Sequence, residues 1–345
     1  YYDLFKSGVD VWKTNKIFGV GVRNYRNACK DFYSINTDIS KSSISCDTHP
    51  HNLYSEIFKS IQGEGTYTGV HTLWLRFFMC NLQCNGFGQL DPKNPDNYEL
   101  PYKDFDASNI EKVEDLPVWN KGCDSSYSWA KKFKHLMSKG TPSVIARRIM
   151  EVASSDTNPE GNFKHPISGQ KSDMCFTGGE PLLLSSQTAS VEILKYFESI
   201  NNIPRSVTYE TNGTIELSTN FTNFWKNKSS YELFFSVSPK LFSVSGEKQV
   251  DVILPKVVQQ YYELSDRGHL KFVLGVEDEH WLEMEDIIKL FRKFGIDYPI
   301  YIMPIGSREE DQKEVAGQVA DLAIARGYNV SARVHVYLFG NAIGT

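Results

Sequence analysis

Residues 72–84 read TLWLRFFMCNLQC and give the clearest indication of the fold. Its first seven residues are mostly apolar and rich in the types that favour β-strands. Two cysteines, Cys80 and Cys84, follow this run directly. Because α/β proteins place their chemistry on the loops after the strands, we expect a strand that ends in a thiol-bearing loop.

Strand-like and helix-like runs alternate along the rest of the chain. Short apolar runs predict strands at residues 174–177, 207–210, 233–237, 270–274, 300–303 and 334–338. Apolar periodicity predicts helices at residues 142–152, 189–200, 281–294 and 311–326. The alternation predicts an α/β fold, a parallel sheet flanked by helices that forms a partial (β/α) barrel.

Two segments interrupt this pattern. Residues 89–120 are polar and contain four prolines, so little regular structure is expected there. We predict an insertion at residues 85–122 within a domain of residues 53–345. Residues 1–52 lack the alternating pattern, and we predict that they form a separate N-terminal appendage.

Composition excludes several classes of protein. With 41% hydrophobic and 23% charged residues, the chain can bury a core. A net charge of −5 gives no electrostatic reason to bind nucleic acid. No apolar run reaches the roughly 18 residues that span a bilayer, and no signal peptide is visible in the sequence, which begins at Tyr1. We therefore expect a cytoplasmic protein with neither a membrane nor a nucleic-acid partner.

The six cysteines are too few for a disulfide scaffold in 345 residues. Cys80, Cys84 and Cys123 lie in one region, and three thiolates suit a [4Fe–4S] cluster with one open iron. S-adenosylmethionine (SAM) could chelate that iron, and reductive cleavage of SAM would generate a 5′-deoxyadenosyl radical. Two alternatives remain open. The cysteines could be buried, reduced thiols, or they could bind zinc. A zinc site would need a fourth ligand near Cys123, where His135 is the nearest histidine in the sequence.

Three predicted strands end in polar groups. The motif TGGEP occupies residues 177–181, ETNGT occupies 210–214, and SPK occupies 238–240. Each could be an ordinary turn. Together they favour a cofactor site, in which Gly178 and Gly179 allow close approach and Glu180 accepts a hydrogen bond from an ammonium group.

Arg76 lies inside the first predicted strand, where a charge requires a partner. It either forms a structural ion pair or binds a substrate carboxylate through its planar fork.

The ordered motifs resemble the 7-carboxy-7-deazaguanine synthases, which are radical SAM enzymes. The resemblance is carried by EIFKSIQGEG at residues 56–65, LRF at 75–77, CNL at 80–82, the three strand-end motifs, and the ending RVHVYLFGN at 333–341. It covers about residues 53–345. These motifs in the same order make a chance match improbable, although each alone is weak.

This resemblance implies the reaction and the cofactors. Family members convert 6-carboxy-5,6,7,8-tetrahydropterin to 7-carboxy-7-deazaguanine with loss of ammonia, using a [4Fe–4S] cluster, SAM and Mg²⁺. They are usually homodimers on a shortened barrel, and an electron donor such as flavodoxin is expected. By motif, Cys80, Cys84 and Cys123 would hold the cluster, and Ser125 would bind Mg²⁺.

The resemblance also implies the binding residues. The predicted SAM-binding residues are Asp124, Gly178, Gly179, Glu180, Ser238, Pro239, Lys240, Met303, Pro304 and Gly306. The predicted substrate-binding residues are Ile61, Gln62, Gly63, Glu64, Arg76, Thr177, His335 and Thr345.

The sequence departs from the family pattern at the third ligand. The family usually places this cysteine soon after the second, where this chain has Phe87. We assign the ligand to Cys123, because Cys-Asp-Ser matches the family's Cys-Asp-Thr. The long form is similar to versions carried by phages, and this resemblance implies that the product serves DNA modification rather than tRNA queuosine.

The first 52 residues resemble part of the O-antigen ligase family instead, through the Gly19–Gly21 region and His49-Pro50-His51. The membrane helices of that family are not apparent, so we expect no ligase activity from His49 or His51. Two alternatives to the synthase are another radical SAM enzyme, such as a glycyl-radical activase, and a non-catalytic fusion protein.

Overall fold

The protein is represented by a computed structural model that describes residues 52–226, 228 and 230–344. From Leu53 onward, these residues belong to one compact unit. The N-terminal appendage and Thr345 lie outside the described residues, so the predictions made for them stay predictions.

Nine strands form one sheet in the order β3-β1-β2-β4-β5-β6-β7-β8-β9. The strands are β1 (Asn52–Ile61), β2 (His71–Phe77), β3 (Ser138–Gly140), β4 (Asp173–Gly178), β5 (Ser206–Thr211), β6 (Glu232–Val237), β7 (Gly268–Leu274), β8 (Ile300–Pro304) and β9 (Asn329–Val330). β1 pairs with β2 in antiparallel fashion, whereas every neighbouring pair from β2 to β9 is parallel. The predicted α/β class is confirmed.

Helices connect most of the parallel strands. They are α1 (Pro101–Asp104), α2 (Pro142–Ala153), α3 (Leu184–Ser199), α4 (Thr219–Lys226), α5 (Phe242–Ser245), α6 (Gln249–Val252), α7 (Pro255–Leu264), α8 (Asp278–Lys293), α9 (Glu309–Ala325) and α10 (Val334–Phe339). Helix α2 begins where the sequence predicts, with Pro142 in its first turn. The four predicted helices and all but one of the predicted strands are present.

The exception is residues 334–338, which the sequence predicts as a strand and which fold as α10. In α10 Val336 is buried, whereas Tyr337, Leu338 and Phe339 are exposed. The short strand β9 already occupies the edge of the sheet beside β8. This edge strand has only two residues and offers little ladder to a further strand, so the backbone groups of residues 334–338 are satisfied within a helix instead.

The insertion contributes to a second core, which it shares with residues that flank it. As expected, it contains little regular structure: α1 and two short 3₁₀ turns, Pro95–Asn97 and Val113–Asp115. Nevertheless, Tyr102, Val113 and Trp119 are buried with Phe133 in a cluster separate from the main core over the sheet. The insertion is therefore a folded module rather than a loose loop.

Candidate active site

A cavity of about 560 Å³ lies at the ends of the parallel strands. Its wall includes the final residues of β4 and β5, together with residues from the C-terminal parts of β6, β7 and β8. Because these strands run in the same direction, their carboxyl ends meet at one edge. The convergence predicted from the strand-end motifs is therefore present.

The thiols of Cys80, Cys84 and Cys123 all line this cavity. Burial raises the pKa of each thiol, that of Cys80 to about 12, and a charge on Cys123 further raises the pKa of Cys80 and Cys84. The structure thus brings together three thiols separated by up to 43 positions in the sequence. At neutral pH these groups are protonated unless a bound cation stabilises the thiolates.

Within residues 52–226, 228 and 230–344, no three His, Cys, Asp or Glu side chains are placed to ligate a single metal ion. In a [4Fe–4S] cluster each thiolate binds a different iron, whereas a zinc site needs its ligands around one centre. The cluster and zinc interpretations of these thiols both stay predictions.

A carboxylate from a distant segment holds the loop that carries Cys84. This residue has a left-handed backbone with φ of 51°, which is uncommon for a residue other than glycine. Glu247 Oε1 accepts hydrogen bonds from the backbone amides of Gln83 (3.0 Å) and Cys84 (2.6 Å). Glu247 was missed by the sequence analysis, because nothing in its local sequence indicates that its partner lies 163 positions away.

Gly178 and Gly179 are required by the approach of one backbone to another. A Cβ atom at Gly179 would lie 2.1 Å from the carbonyl oxygen of Met79, and one at Gly178 would lie 2.2 Å from that of Phe77. The amides of Gly179 and Glu180 instead donate to these same two carbonyls, at 3.2 Å from Phe77 and 2.9 Å from Met79. The glycine pair therefore sets the position of the segment that leads into Cys80.

Glu180 lies behind the cavity wall. It is fully buried, and its carboxylate accepts hydrogen bonds from Leu182 N (2.9 Å), Thr211 Oγ1 (2.8 Å) and Asn212 N (2.8 Å). Burial raises its pKa to about 7 despite these donors. These contacts tie the end of β4 to the end of β5, and binding of an ammonium group by Glu180 stays a prediction.

Arg76 lines the cavity, and its Nε donates to Glu56 Oε2 at 3.2 Å. Its guanidinium carbon lies 5.9 Å from the centre of the Phe58 ring and 5.7 Å from that of Tyr127. The structural ion pair predicted from the sequence is therefore present, and binding of a substrate carboxylate by Arg76 stays a prediction. Nε forms the structural ion pair, and the terminal nitrogens are the donors left for a ligand.

A second polar group in the cavity is built around Glu210, which the sequence analysis did not select. Glu210 Oε2 accepts from Thr177 Oγ1 at 2.9 Å, and Oε1 accepts from Gln62 Nε2 at 3.5 Å. All three residues line the cavity. Glu210 lies in the quoted ETNGT motif, so its position at the end of β5 was the available signal.

Glu64 is surrounded by positive charge. Lys271 Nζ pairs with its Oε2, and Arg333 Nε donates to its Oε1 at 3.2 Å. Burial opposes ionisation of Glu64, but these two cations outweigh burial and hold its pKa well below the usual value. Neither Lys271 nor Arg333 was predicted as a site residue. An isolated lysine within the apolar strand β7 was the signal for the first.

The Cys-Asp-Ser motif places Asp124 and Ser125 beside this charged group. Ser125 Oγ donates to Asp124 Oδ1 at 3.0 Å, and both residues line the cavity. Burial works against a charged Asp124, yet the nearby Arg333 lowers the pKa of its carboxyl. The pair presents the oxygen atoms that Mg²⁺ prefers.

His335 forms another part of the wall. Burial lowers its pKa to about 4, so the ring is neutral at physiological pH. A Cβ atom at Gly63 would overlap the His335 ring at 1.8 Å, which explains the glycine in the Gln-Gly-Glu motif.

Most of the predicted site residues meet at this cavity. Those that line it are Ile61, Gln62, Glu64, Arg76, Cys80, Cys84, Cys123, Asp124, Ser125, Thr177, Gly178, Gly179, Ser238, Lys240, Met303, Gly306 and His335. Gly63, Glu180, Pro239 and Pro304 do not line it. Their ligand contacts, and that of Thr345, stay predictions.

The chain is similar to curated proteins along most of its length. It is 25% identical to the 7-carboxy-7-deazaguanine synthase of Hyperthermus butylicus, over 81% of this chain and 90% of that protein. It is also 25% identical to the enzyme of that name from Rhodopirellula baltica, over 85% and 88% of the two chains. No protein-family model matches the sequence.

The solved structure of QueE from Escherichia coli superposes on this chain with a TM-score of 0.45 and 19% sequence identity, over 83% of this chain and 96% of that one. In the described part of this chain, no helix is both long and apolar enough to cross a bilayer. The sequence similarities confirm the resemblance inferred from the motifs: over most of its length, the chain is similar to the 7-carboxy-7-deazaguanine synthases.

Proposed function

We propose that this protein is a 7-carboxy-7-deazaguanine synthase, a radical SAM lyase that converts 6-carboxy-5,6,7,8-tetrahydropterin to 7-carboxy-7-deazaguanine with loss of ammonia. One observation carries the proposal. Three thiols suited to a cluster and a set of polar groups suited to a carboxypterin line the same cavity.

Cys80, Cys84 and Cys123 would hold the [4Fe–4S] cluster, with Ser125 contributing an oxygen to Mg²⁺. Ser238, Lys240, Met303 and Gly306 would bind SAM. When bound, the cluster and SAM together supply the radical that abstracts a hydrogen atom from the substrate. The remaining tasks, which are binding, orientation and exclusion of water, fall to residues of this chain.

Arg76 is suited to the substrate carboxylate. The terminal nitrogens of its guanidinium can form two parallel hydrogen bonds to a carboxylate. Its ion pair with the nearly buried Glu56 fixes the rotation of the fork before the substrate arrives. Phe58 and Trp74 stack beside it with ring centres 5.5 Å apart and give the pterin an apolar wall.

Gln62, Thr177 and Glu210 are suited to the guanidine-like edge of the pterin. That edge presents N–H donors and one carbonyl acceptor, and these residues supply a carboxylate, an amide and a hydroxyl. The Glu210 carboxylate is held in place by the other two side chains. Fixed, complementary hydrogen-bonding groups strongly reject ligands that lack the matching groups.

A further set of charged and polar groups in the cavity can position Mg²⁺ and the substrate together. Asp124 and Ser125 present oxygens, while Glu64 is kept ionised by Lys271 and Arg333. His335 is neutral, so its ring can either donate or accept a hydrogen bond. The product would feed tRNA queuosine or the modification of DNA, as the resemblance implies. A homodimer, a flavodoxin-type donor and a cytoplasmic location belong to the same proposal.

The proposal is tested by anaerobic reconstitution with iron and sulfide. We expect broad visible absorption, SAM cleavage, and conversion of the carboxypterin to the deazaguanine acid. Conversion of a peptide glycine to its radical would instead indicate an activase. Failure to bind iron would indicate a non-catalytic protein.

Arg76→Lys provides a second test in the same assay. Lysine keeps the charge but loses the planar fork, so we expect KM for the carboxypterin to rise about tenfold. SAM affinity should not change. An unchanged KM would contradict the assigned carboxylate contact.

A further inference from the structure

Arg333 occupies an unusual position in the cavity. It follows β9 as the N-cap residue of α10, and its side chain is 14% exposed. In the function proposed above, its charge helps to keep Glu64 ionised. Its guanidinium contacts three segments that are far apart in the sequence.

Each nitrogen of the guanidinium faces a different partner. Nε donates to Glu64 Oε1 at 3.2 Å, and Nη1 donates to the carbonyl oxygens of Ser307 at 2.9 Å and Gly306 at 3.4 Å. Nη2 lies 3.6 Å from Asp124 Oδ2. A planar group with donors in fixed directions therefore sets the relative positions of all three segments.

Under the proposed function, on which this inference rests, the three segments serve different ligands. Glu64 belongs to the pterin motif, Asp124 separates a cluster ligand from the proposed Mg²⁺ ligand, and Gly306 belongs to the loop expected to cover SAM. A shift of any one segment is transmitted through Arg333 to the other two.

The loop after β8 shows why such a link is needed. Its Gly306 has φ of 133°, a backbone conformation open to glycine and strained for other residues. Ser307 Oγ donates to the carbonyl of Trp119 at 2.5 Å, which fixes the loop to the insertion. Arg333 is the contact that fixes the same loop to the pterin side of the cavity.

We propose that Arg333 is a positioning residue that couples the SAM-covering loop to the pterin and Mg²⁺ side of the cavity, so that binding of SAM and binding of the pterin depend on each other. A coupling of this kind is reciprocal, because each ligand must change the affinity of the other by the same factor.

The partners of Arg333 keep other contacts when it is replaced. Glu64 retains Lys271, and Asp124 retains Ser125. Arg333→Met should therefore fold, and Arg333→Lys is a milder variant that keeps the charge. Arg205→Lys is the matched control, because Arg205 also pairs with a nearly buried carboxylate, Asp173, at the start of β4 rather than at the cavity.

The experiment measures SAM affinity of the cluster-loaded protein under anaerobic conditions, with and without the carboxypterin, and pterin affinity with and without SAM. In the wild type we expect each ligand to strengthen the other about tenfold. Arg333→Met should weaken both ligands and reduce this factor to about one, with Arg333→Lys in between. Arg205→Lys should retain the wild-type factor.

Two variants separate coupling from local binding. Gln62→Ala should weaken the pterin alone, and Met303→Ala should weaken SAM alone. If Arg333→Met weakens only one ligand, or leaves the coupling factor unchanged, the inference is overturned. A wild type that binds SAM but not the pterin contradicts the proposed function, and this inference falls with it. A wild type that binds both without mutual strengthening overturns the inference alone.

Discussion

The sheet and the insertion bury their apolar side chains in different ways. In the sheet, long apolar strands pair through backbone ladders, and the core includes fully buried residues such as Phe235, Phe272 and Leu274. In the insertion, aromatic residues such as Tyr102 and Trp119 pack around short turns with few regular hydrogen bonds. The core over the sheet follows from the apolar pattern of the strands, whereas the second core depends on contacts between individual aromatic side chains.

The site depends on both regions. Cys80 and Cys84 follow β2 of the sheet, whereas Cys123 follows the last residues of the insertion. Gly122 N donates to Phe87 O at 2.7 Å, which closes the base of the insertion and brings Cys123 back to the other two thiols. A regular scaffold and an irregular module together place three thiols in one cavity, and four experiments test that division.

The largest effect is expected from removing one thiol on either side. Cys84→Ala and Cys123→Ala should each abolish the visible absorption and iron content after reconstitution, because two thiolates cannot retain the cluster. Cys175→Ala is the control, since Cys175 is buried in β4 and does not line the cavity. A normal cluster in Cys123→Ala would mean that Cys123 is not a cluster ligand.

The next effect concerns the core of the sheet. Phe235 in β6 is fully buried and stacks on Tyr261 with ring centres 4.9 Å apart. Phe235→Ala should lower the free energy of unfolding by about 3–5 kcal/mol, because it leaves a cavity. Denaturant unfolding followed by circular dichroism measures this change. A loss below about 1 kcal/mol would show that the core collapses around the gap.

Trp119→Ala applies the same kind of deletion to the insertion. The Trp119 ring contacts Phe105 and Phe133, with ring centres 5.2 Å and 6.5 Å away. We expect local opening, seen as protease cleavage within residues 85–122 and faster cluster loss in air, while the main unfolding transition shifts by about 1 kcal/mol or less. A loss equal to that of Phe235→Ala would show that the two cores unfold as one unit.

The last effect is a pH dependence within the sheet. His269 is buried in β7, and burial lowers its pKa to about 3. In the unfolded chain the pKa of His269 is near 6.5, so below that pH the unfolded state binds a proton at this ring. The folded state does not bind this proton until the pH approaches 3, so acid favours unfolding. The stability from this group is therefore complete above about pH 6.5 and is lost as the pH falls toward 3.

His269→Gln should flatten that dependence. Glutamine can still form hydrogen bonds with Ser236 and Thr66, which contact the two ring nitrogens of His269 at 2.8 Å and 3.1 Å. Unfolding of the cluster-free protein at pH 7.5 and pH 5 gives the comparison. The variant should lose less stability than the wild type between these values, and an equal loss would indicate another titrating group.

Much of the fold could be predicted because its signals are local. Strands β2 and β4 to β8 are short apolar runs, and α2 begins with a proline that fits the first turn of a helix. The strand predicted at residues 334–338 was wrong because a short apolar run does not by itself distinguish a strand from a short helix. Strand β1 was not predicted, since its residues were interpreted as a binding motif.

Local sequence was sufficient to predict the α/β class, the order of the strand-end motifs and the three thiols that line the cavity, because strand periodicity and motif spacing are properties of neighbouring residues. Tertiary structure was needed to show that Glu247 holds the Cys84 loop, that Lys271 and Arg333 keep Glu64 ionised, and that the insertion helps to build a second core. Those features depend on charge and packing between segments up to 269 positions apart, where burial makes an unpaired charge too costly to leave alone.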